Sequence, residues 1–197
     1  YTVVADDFND DFTIYSITTS GEIKDKAGNV MDDPPAITGN NLDDVASITV
    51  DGVLPKIIKV TAEPDVEVLG EGESTNLTIH FNEEIELDGE IQFYLSSDDA
   101  QVLLFPNADF TELEHGEVDG VTKSTATVTY TADDGDVETD LLDVDRIAFT
   151  TVDGKIIDLA LNEVSNLSIP DDGELKDFAD LQVETVEPEI FSITTSY

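Results

Sequence analysis

The chain has no cysteine, no tryptophan, one methionine and only 8 basic residues. Without cysteine there is no disulfide framework, no thiol chemistry and no thiolate zinc centre. The lysines are scattered and Arg146 stands alone. No basic patch therefore exists to meet a phosphate backbone, and nucleic acid is excluded as a partner. No apolar run approaches the roughly 20 residues of a membrane-spanning helix, so no membrane insertion is expected. The two histidines, His80 and His115, have no nucleophile beside them in sequence, which argues against a Ser–His–Asp triad. Carboxylate pairs abound, but a glycosidase pair needs a cleft with aromatic platforms, and most Phe and Tyr residues here sit in strand-like runs. The chain reads as a non-enzyme.

What it has in abundance is negative charge: 46 acidic residues and a formal net charge of −38. At 40% hydrophobic residues it can still bury a core, so charge alone does not imply disorder. Self-repulsion of this size opposes compaction. Two agents can offset it. Divalent cations neutralise carboxylates and cross-link loops; concentrated salt screens exposed charge over about 3 Å at 1 M.

Part of the chain occurs twice. Asp25–Asn29 (DKAGN) and Asp158–Asn162 (DLALN) stand 133 residues apart, as do Val50–Ile57 (VDGVLPKI) and Val183–Ile190 (VETVEPEI). Upstream, Tyr1-Thr2 and its acidic run match Tyr130-Thr131 and theirs at a slightly shorter spacing. A period of this length is that of a whole domain rather than a solenoid unit. The expected organisation is the C-terminal part of one repeat over 1–54, a complete repeat over 55–188 and the first strand of a third over 189–197, cut from a longer tandem array. Half a sandwich cannot bury its inner face, so 1–54 is expected to need strands from elsewhere, by simple truncation of the array or by strand exchange with identical subunits.

The local signal is β throughout. Asn76–Phe81 alternates polar with apolar residues, and so do Glu90–Leu95 and Thr125–Tyr130, as half-buried strands do. Gly, Asp, Asn and Pro break the runs at short intervals. No window of about 11 residues carries helical periodicity. Seven strands are expected, over 56–63, 75–82, 90–96, 101–105, 124–132, 144–150 continued by 155–157, and 180–186. The fold class is all-β, an antiparallel sandwich.

If the strands alternate up and down, acids from distant segments converge on the domain boundaries. The first junction would gather Asp6, Asp7, Asp10, Asp11, Asp51, Glu83, Glu84, Asp158 and Asn162. The second would gather Asp133, Asp134, Asp136, Asp140 and Glu184. Clustered hard oxygen donors suit Ca²⁺, which takes 6–8 oxygens at about 2.3–2.6 Å with flexible geometry. Mg²⁺ retains its waters and fits less well. No EF-hand loop is present.

The phrases Asp25-Lys26-Ala27-Gly28-Asn29, Val50-Asp51-Gly52-Val53-Leu54-Pro55-Lys56-Ile57 and Leu77-Thr78-Ile79-His80-Phe81-Asn82-Glu83-Glu84-Ile85 resemble those of bacterial Ig-like repeats of large cell-surface proteins. The resemblance covers essentially the whole chain. It implies tandem Ig-like Greek-key sandwiches, an extracellular or cell-surface location, and Ca²⁺-stiffened arrays in adhesins, surface layers or filaments. The second copy departs from the pattern where Gly28 becomes Leu161 and Asp51 becomes Glu184. Two other readings stand beside it. One is a glycan- or protein-binding module that presents a long loop over 106–123. The other is a halophilic surface protein whose acidity is an adaptation to salt.

Overall fold

The computed structural model describes residues 1–31, 41–96, 102–106, 113–118, 121–134, 136–186, 188 and 190–193. The chain divides into two compact units, Tyr1–Val53 and Leu54–Tyr197. The smaller unit holds β1 (Phe8–Asn9), α1 (Leu42–Val45) and β2 (Val50–Asp51), with β1 and β2 paired antiparallel. The one-turn helix α1 is set by a capping box. Asn41 Oδ1 accepts from the Leu42 N–H at 2.8 Å, and the Asp44 carboxylate accepts from the Asn41 N–H at 3.0 Å, which satisfies donors that a helix start leaves open.

The larger unit is an all-β sandwich. In chain order it carries β3 (Ile57–Glu63), β4 (Val66–Leu69), β5 (Ser74–Phe81), β6 (Ile85–Asp88), β7 (Ile91–Leu95), β8 (Val102–Phe105), β9 (Glu114–Val118), β10 (Val121–Thr131), β11 (Val144–Phe149), β12 (Lys155–Asp158), β13 (Glu163–Val164) and β14 (Asp180–Val183). One sheet runs β3-β5-β10-β9 and another β11-β7-β8; β13-β12-β6 and β14-β4 form smaller sheets. All of these pairs are antiparallel except β14 with β4.

Alternation sets which face is buried. In β5, Thr75, Leu77, Ile79 and Phe81 point inward. On its outer face uncharged polar side chains bond across to β10: Ser74 with Thr131 at 2.8 Å, Thr78 with Thr127 at 2.9 Å, and Thr129 donating to Asn76 Oδ1 at 2.8 Å. Such cross-strand pairs hold an open sheet face together, here without adding charge. Fully buried Leu77, Phe81, Phe93, Tyr130, Ile156 and Leu181 come from five different strands and join one apolar core.

Two strands break the alternation for one reason. Bulges between Ile57 and Lys59 and between Val144 and Arg146 add a residue to β3 and β11. Each bulge therefore points residues three apart inward, Ile57 with Val60 and Val144 with Ile147. The β11 bulge also places the Arg146 guanidinium 3.9 Å from the centre of the Tyr94 ring, within cation–π range.

Several expectations are corrected. Residues 155–157 do not continue the preceding strand. The chain turns over 150–154, and β12 joins a different sheet from β11. Gly154 is required there, because a Cβ at that position would run into the Phe149 ring. The segment 106–123 is not simply a loop: 114–118 forms β9, which pairs with β10, while 107–112 and 119–120 lie outside the described residues. The expected strand 189–195 is not formed over 190–193, whose hydrophobic residues are exposed; 189, 194 and 195 lie outside the described residues. His80 is half-buried, and its Nε2 lies 2.8 Å from Thr61 Oγ1. Burial, then the charge of Lys59, hold the imidazole below its ordinary value of 6.5.

Candidate metal centre

The loop after β12 is built on one buried carboxylate. Asp158 is fully buried. Its Oδ1 accepts the Asn162 N–H at 2.8 Å and its Oδ2 accepts Asn162 Nδ2 at 2.8 Å. The backbone closes the same loop, with Asp158 N–H donating to Asn162 O and Leu161 N–H to Asp158 O, both at 3.1 Å. Its sequence twin is folded by the same bonds. Asn29 N–H donates to Asp25 Oδ1 at 2.9 Å and Asn29 Nδ2 to Asp25 Oδ2 at 2.8 Å; Asp25 N–H donates to Asn29 O and Gly28 N–H to Asp25 O, both at 3.1 Å. The flanking bridges also match, Lys24 with Val30 and Ile157 with Glu163. The Asn29 side chain and backbone lead the donors that hold the Asp25 carboxyl below the usual carboxylate range.

Both loops need a left-handed residue at the fourth position, with φ of 90° at Gly28 and 68° at Leu161. Leucine reaches that conformation at a cost of about 1–2 kcal/mol. Leu161 is mostly exposed and has little packing to lose. Leu161→Gly is therefore expected to stabilise the larger unit by up to about 1 kcal/mol, after roughly 0.5–1 kcal/mol is returned to the freer unfolded chain. A higher denaturant midpoint at unchanged slope is the expected reading.

A second loop is also built twice. Tyr130 Oη donates to Asp136 Oδ2 at 2.6 Å, the Asp133 N–H donates to the same oxygen at 2.9 Å, and Asp136 N–H donates to Asp133 O at 2.9 Å. In the smaller unit Tyr1 Oη donates to Asp7 Oδ2 at 2.5 Å, the Val4 N–H to the same oxygen at 2.9 Å, and Asp7 N–H to Val4 O at 3.1 Å. The Tyr1 hydroxyl first, then the Val4 N–H, hold the Asp7 carboxyl below the usual range, and the same bond raises Tyr1. Beyond these loops the strand pairing agrees as well. Asn9 opposes Val50 as Thr139 opposes Val183. Phe12 N–H donates to Ile48 O at 2.9 Å as Leu142 N–H donates to Leu181 O at 2.7 Å.

Within the larger unit a second carboxylate meets Asp158. Oxygens of Glu83 and Asp158 lie within 4.8 Å of each other. Glu83 follows β5 and Asp158 ends β12, so two turns distant in sequence meet at one end of the sandwich. Two carboxylates this close repel, and a cation between them reverses the sign of that interaction. Asn82 and Asn162, beside them in sequence, use their side-chain amides to hold Glu83 and Asp158 at 2.8 Å each. These bonds fix the orientation of the two carboxylates, as outer hydrogen bonds do at metal sites.

The other expected acids are placed as follows. Asp140 and Glu184 line one cavity of about 440 Å³, together with Glu138, Thr139, Gln182 and Val183. Asp136 is buried and closes its loop on Tyr130; Asp133 and Asp134 are exposed. Glu84 lies 4.0 Å from His115 Nε2, while His115 Nδ1 is 3.4 Å from Ser124 Oγ, itself fully buried. In the smaller unit Asp51 Oδ1 accepts the Val53 N–H at 3.0 Å. Asp6 has a φ of 66° and its N–H donates to Gly52 O at 2.9 Å. Asp10 and Asp11 are exposed, and the Asp11 N–H donates to Asn9 Oδ1 at 2.9 Å. Sequence reasoning missed Glu138 as a third carboxylate of the cavity. It also missed the pairing of tyrosine with an aspartate six residues on, although the spacing Tyr1 to Asp7 recurs as Tyr130 to Asp136.

Compared with protein-family models, curated proteins and solved structures, the chain matches none. Among the described residues no helix is long and apolar enough to cross a membrane.

Proposed function

We propose that this chain is a structural and interaction module of an extracellular, cell-surface repeat protein, of the adhesin, surface-layer or filament type, whose Ig-like sandwiches follow one another in tandem and are stiffened by Ca²⁺. The observation that carries the reading is the duplication of whole hydrogen-bonded loops, Asp25–Asn29 with Asp158–Asn162 and Tyr1–Asp7 with Tyr130–Asp136. Loops that recur at a domain-length spacing are what a tandem array produces. The Glu83–Asp158 pair supports the calcium part. These two carboxylates would supply the charged ligands, and further protein oxygens and water would complete the 6–8 that Ca²⁺ takes. Asp140, Glu138 and Glu184 around their cavity offer a second, more open set. The partners in this reading are neighbouring repeats or identical subunits.

Bound Ca²⁺ would act by mass action, contributing about 2.7 kcal/mol at a concentration 100 times its dissociation constant. Calorimetric titration of the chelator-treated chain tests this. Saturable Ca²⁺ binding that Mg²⁺ does not reproduce is expected. Binding absent in dilute buffer, with stability restored only by molar NaCl, would favour the salt-adaptation reading instead. The strand β9, at the end of its sheet and held by His115 near Ser124, favours a second reading as a glycan- or protein-binding surface. Deleting 114–120 should then abolish binding and spare the core.

A further inference from the structure

The smaller unit repeats the hydrogen bonds of the C-terminal half of the larger one, and among its described residues nothing corresponds to the strands that cover that half. Tyr1, Ile14, Ile17, Ile23 and Ile48 are between 38% and 80% exposed. Their counterparts in the larger unit, Tyr130, Val144, Ile147, Ile156 and Leu181, are 3% exposed or less. The positions correspond through the shared loops and pairings already described. The residue types match in character, apolar opposite apolar, so the smaller unit keeps the inward-facing pattern of the larger one.

The larger unit states what the covering element is. Residues 144–149 pair with β7, 155–158 pair with β6, and 180–183 pair with β4. The equivalent stretches 14–19 and 22–25 of the smaller unit belong to no extended strand. What the smaller unit retains is each pairing internal to the C-terminal half. Among its described residues it has no counterpart of the pairings to strands drawn from 55–129. Segments outside any strand can be drawn into a sheet when a strand is added alongside, through main-chain bonds with alternate side chains setting the register.

We propose that the smaller unit is an open docking face for one occupant, a polypeptide half-repeat with the strand pattern of residues 55–129, which would complete it as a second sandwich. This rests on the repeat reading above and adds to it the partner. Strands equivalent to β6 and β7 would pair with 22–25 and 14–19, and one equivalent to β4 with 47–50. The apolar side of the incoming half would cover Ile14, Ile17, Ile23 and Ile48, and its β5-like strand would seat against Tyr1 as β5 seats beside Tyr130. The tail 190–193 of another copy is too short to do this, since it corresponds to β3 alone.

The test places residues 55–129 directly before Tyr1, so that Thr129 leads into Tyr1 as it leads into Tyr130, and follows amide exchange with EDTA present throughout. Exchange over 14–25 is expected to slow on the order of 100-fold, toward the rates of 144–158. A second extended chain carrying Leu77→Asp and Phe93→Asp in the added copy alone should lose that protection while 55–188 stays folded. Unchanged exchange over 14–25 in the first extended chain would overturn the proposal. So would a native chain that is already dimeric with 14–25 protected, because a second copy would then be the occupant. Since EDTA is present, failure here leaves the calcium reading standing, and failure of the Ca²⁺ titration leaves this one standing.

Discussion

Phe93→Ala is expected to lower the unfolding free energy of the larger unit by about 3–5 kcal/mol, the range for emptying a buried phenylalanine site. Phe93 is fully buried in the middle of β7, opposite Ile147 of β11 and Leu103 of β8. Strands from both larger sheets meet the core it fills, so the cavity cannot collapse by moving one loop. The loss should show as a lower denaturant midpoint with an unchanged slope, since the surface exposed on unfolding stays the same. The consequence for function is indirect. Glu83 and Asp158 sit at the ends of β5 and β12, and those strands hold their separation only while the core holds theirs. Weakened calcium affinity should accompany the loss of stability.

Asp158→Ala is expected to cost about 1–3 kcal/mol, because it strands the Asn162 N–H and side-chain amide, which both donate to the carboxylate. If Ca²⁺ binds as proposed, the substitution should also remove the stabilisation by Ca²⁺. Asp25→Ala breaks the same bonds in the twin loop, but there the carboxylate is exposed and water replaces it. Its effect should be clearly smaller. The pair of variants separates the loop's own bonding from its burial, and denaturant titration of each with and without Ca²⁺ reads both.

Most of the strands could be read from the sequence because their signal is local. The runs 76–81, 90–95 and 125–130 alternate cleanly, and β5, β7 and β10 lie where alternation placed them. In β3 the extra residue between Ile57 and Lys59 moves the inward set by one, so strict alternation does not describe that strand. The same device at Val144–Arg146, and the sheet change at Gly154, depend on strands far away in the chain, so no short window records them. Helix α1 is too short for a periodic signal, and only the pattern Asn41-Leu42-Asp43-Asp44 announced it. Strand β9, rich in charge and containing Gly116, carries no strand propensity of its own and is held by its pairing with β10.

The candidate site was legible in part. Asp140 and Glu184 were expected together and line one cavity. Glu83 and Asp158 were likewise grouped, and their carboxylate oxygens lie within 4.8 Å of each other. Asp136 and Asp7 were grouped with the candidate ligands because they are acidic; in the structure each gives one oxygen to a tyrosine hydroxyl and a backbone N–H. Composition alone does not reveal such turn-closing bonds, whereas the repeated spacing to a tyrosine could have done so. The change from Gly28 to Leu161 left the loop's bonds intact, which shows that the aspartate–asparagine pair defines the loop and the glycine only eases it.

The account turns on thermal unfolding of the whole chain in dilute buffer, first with EDTA and then with Ca²⁺ raised from micromolar to millimolar, with Mg²⁺ and molar NaCl run alongside. Ca²⁺ is expected to raise the melting temperature by several degrees in a saturable manner, Mg²⁺ to do much less, and Asp158→Ala to abolish the rise. A melting temperature that ignores Ca²⁺ and climbs only with NaCl would contradict it.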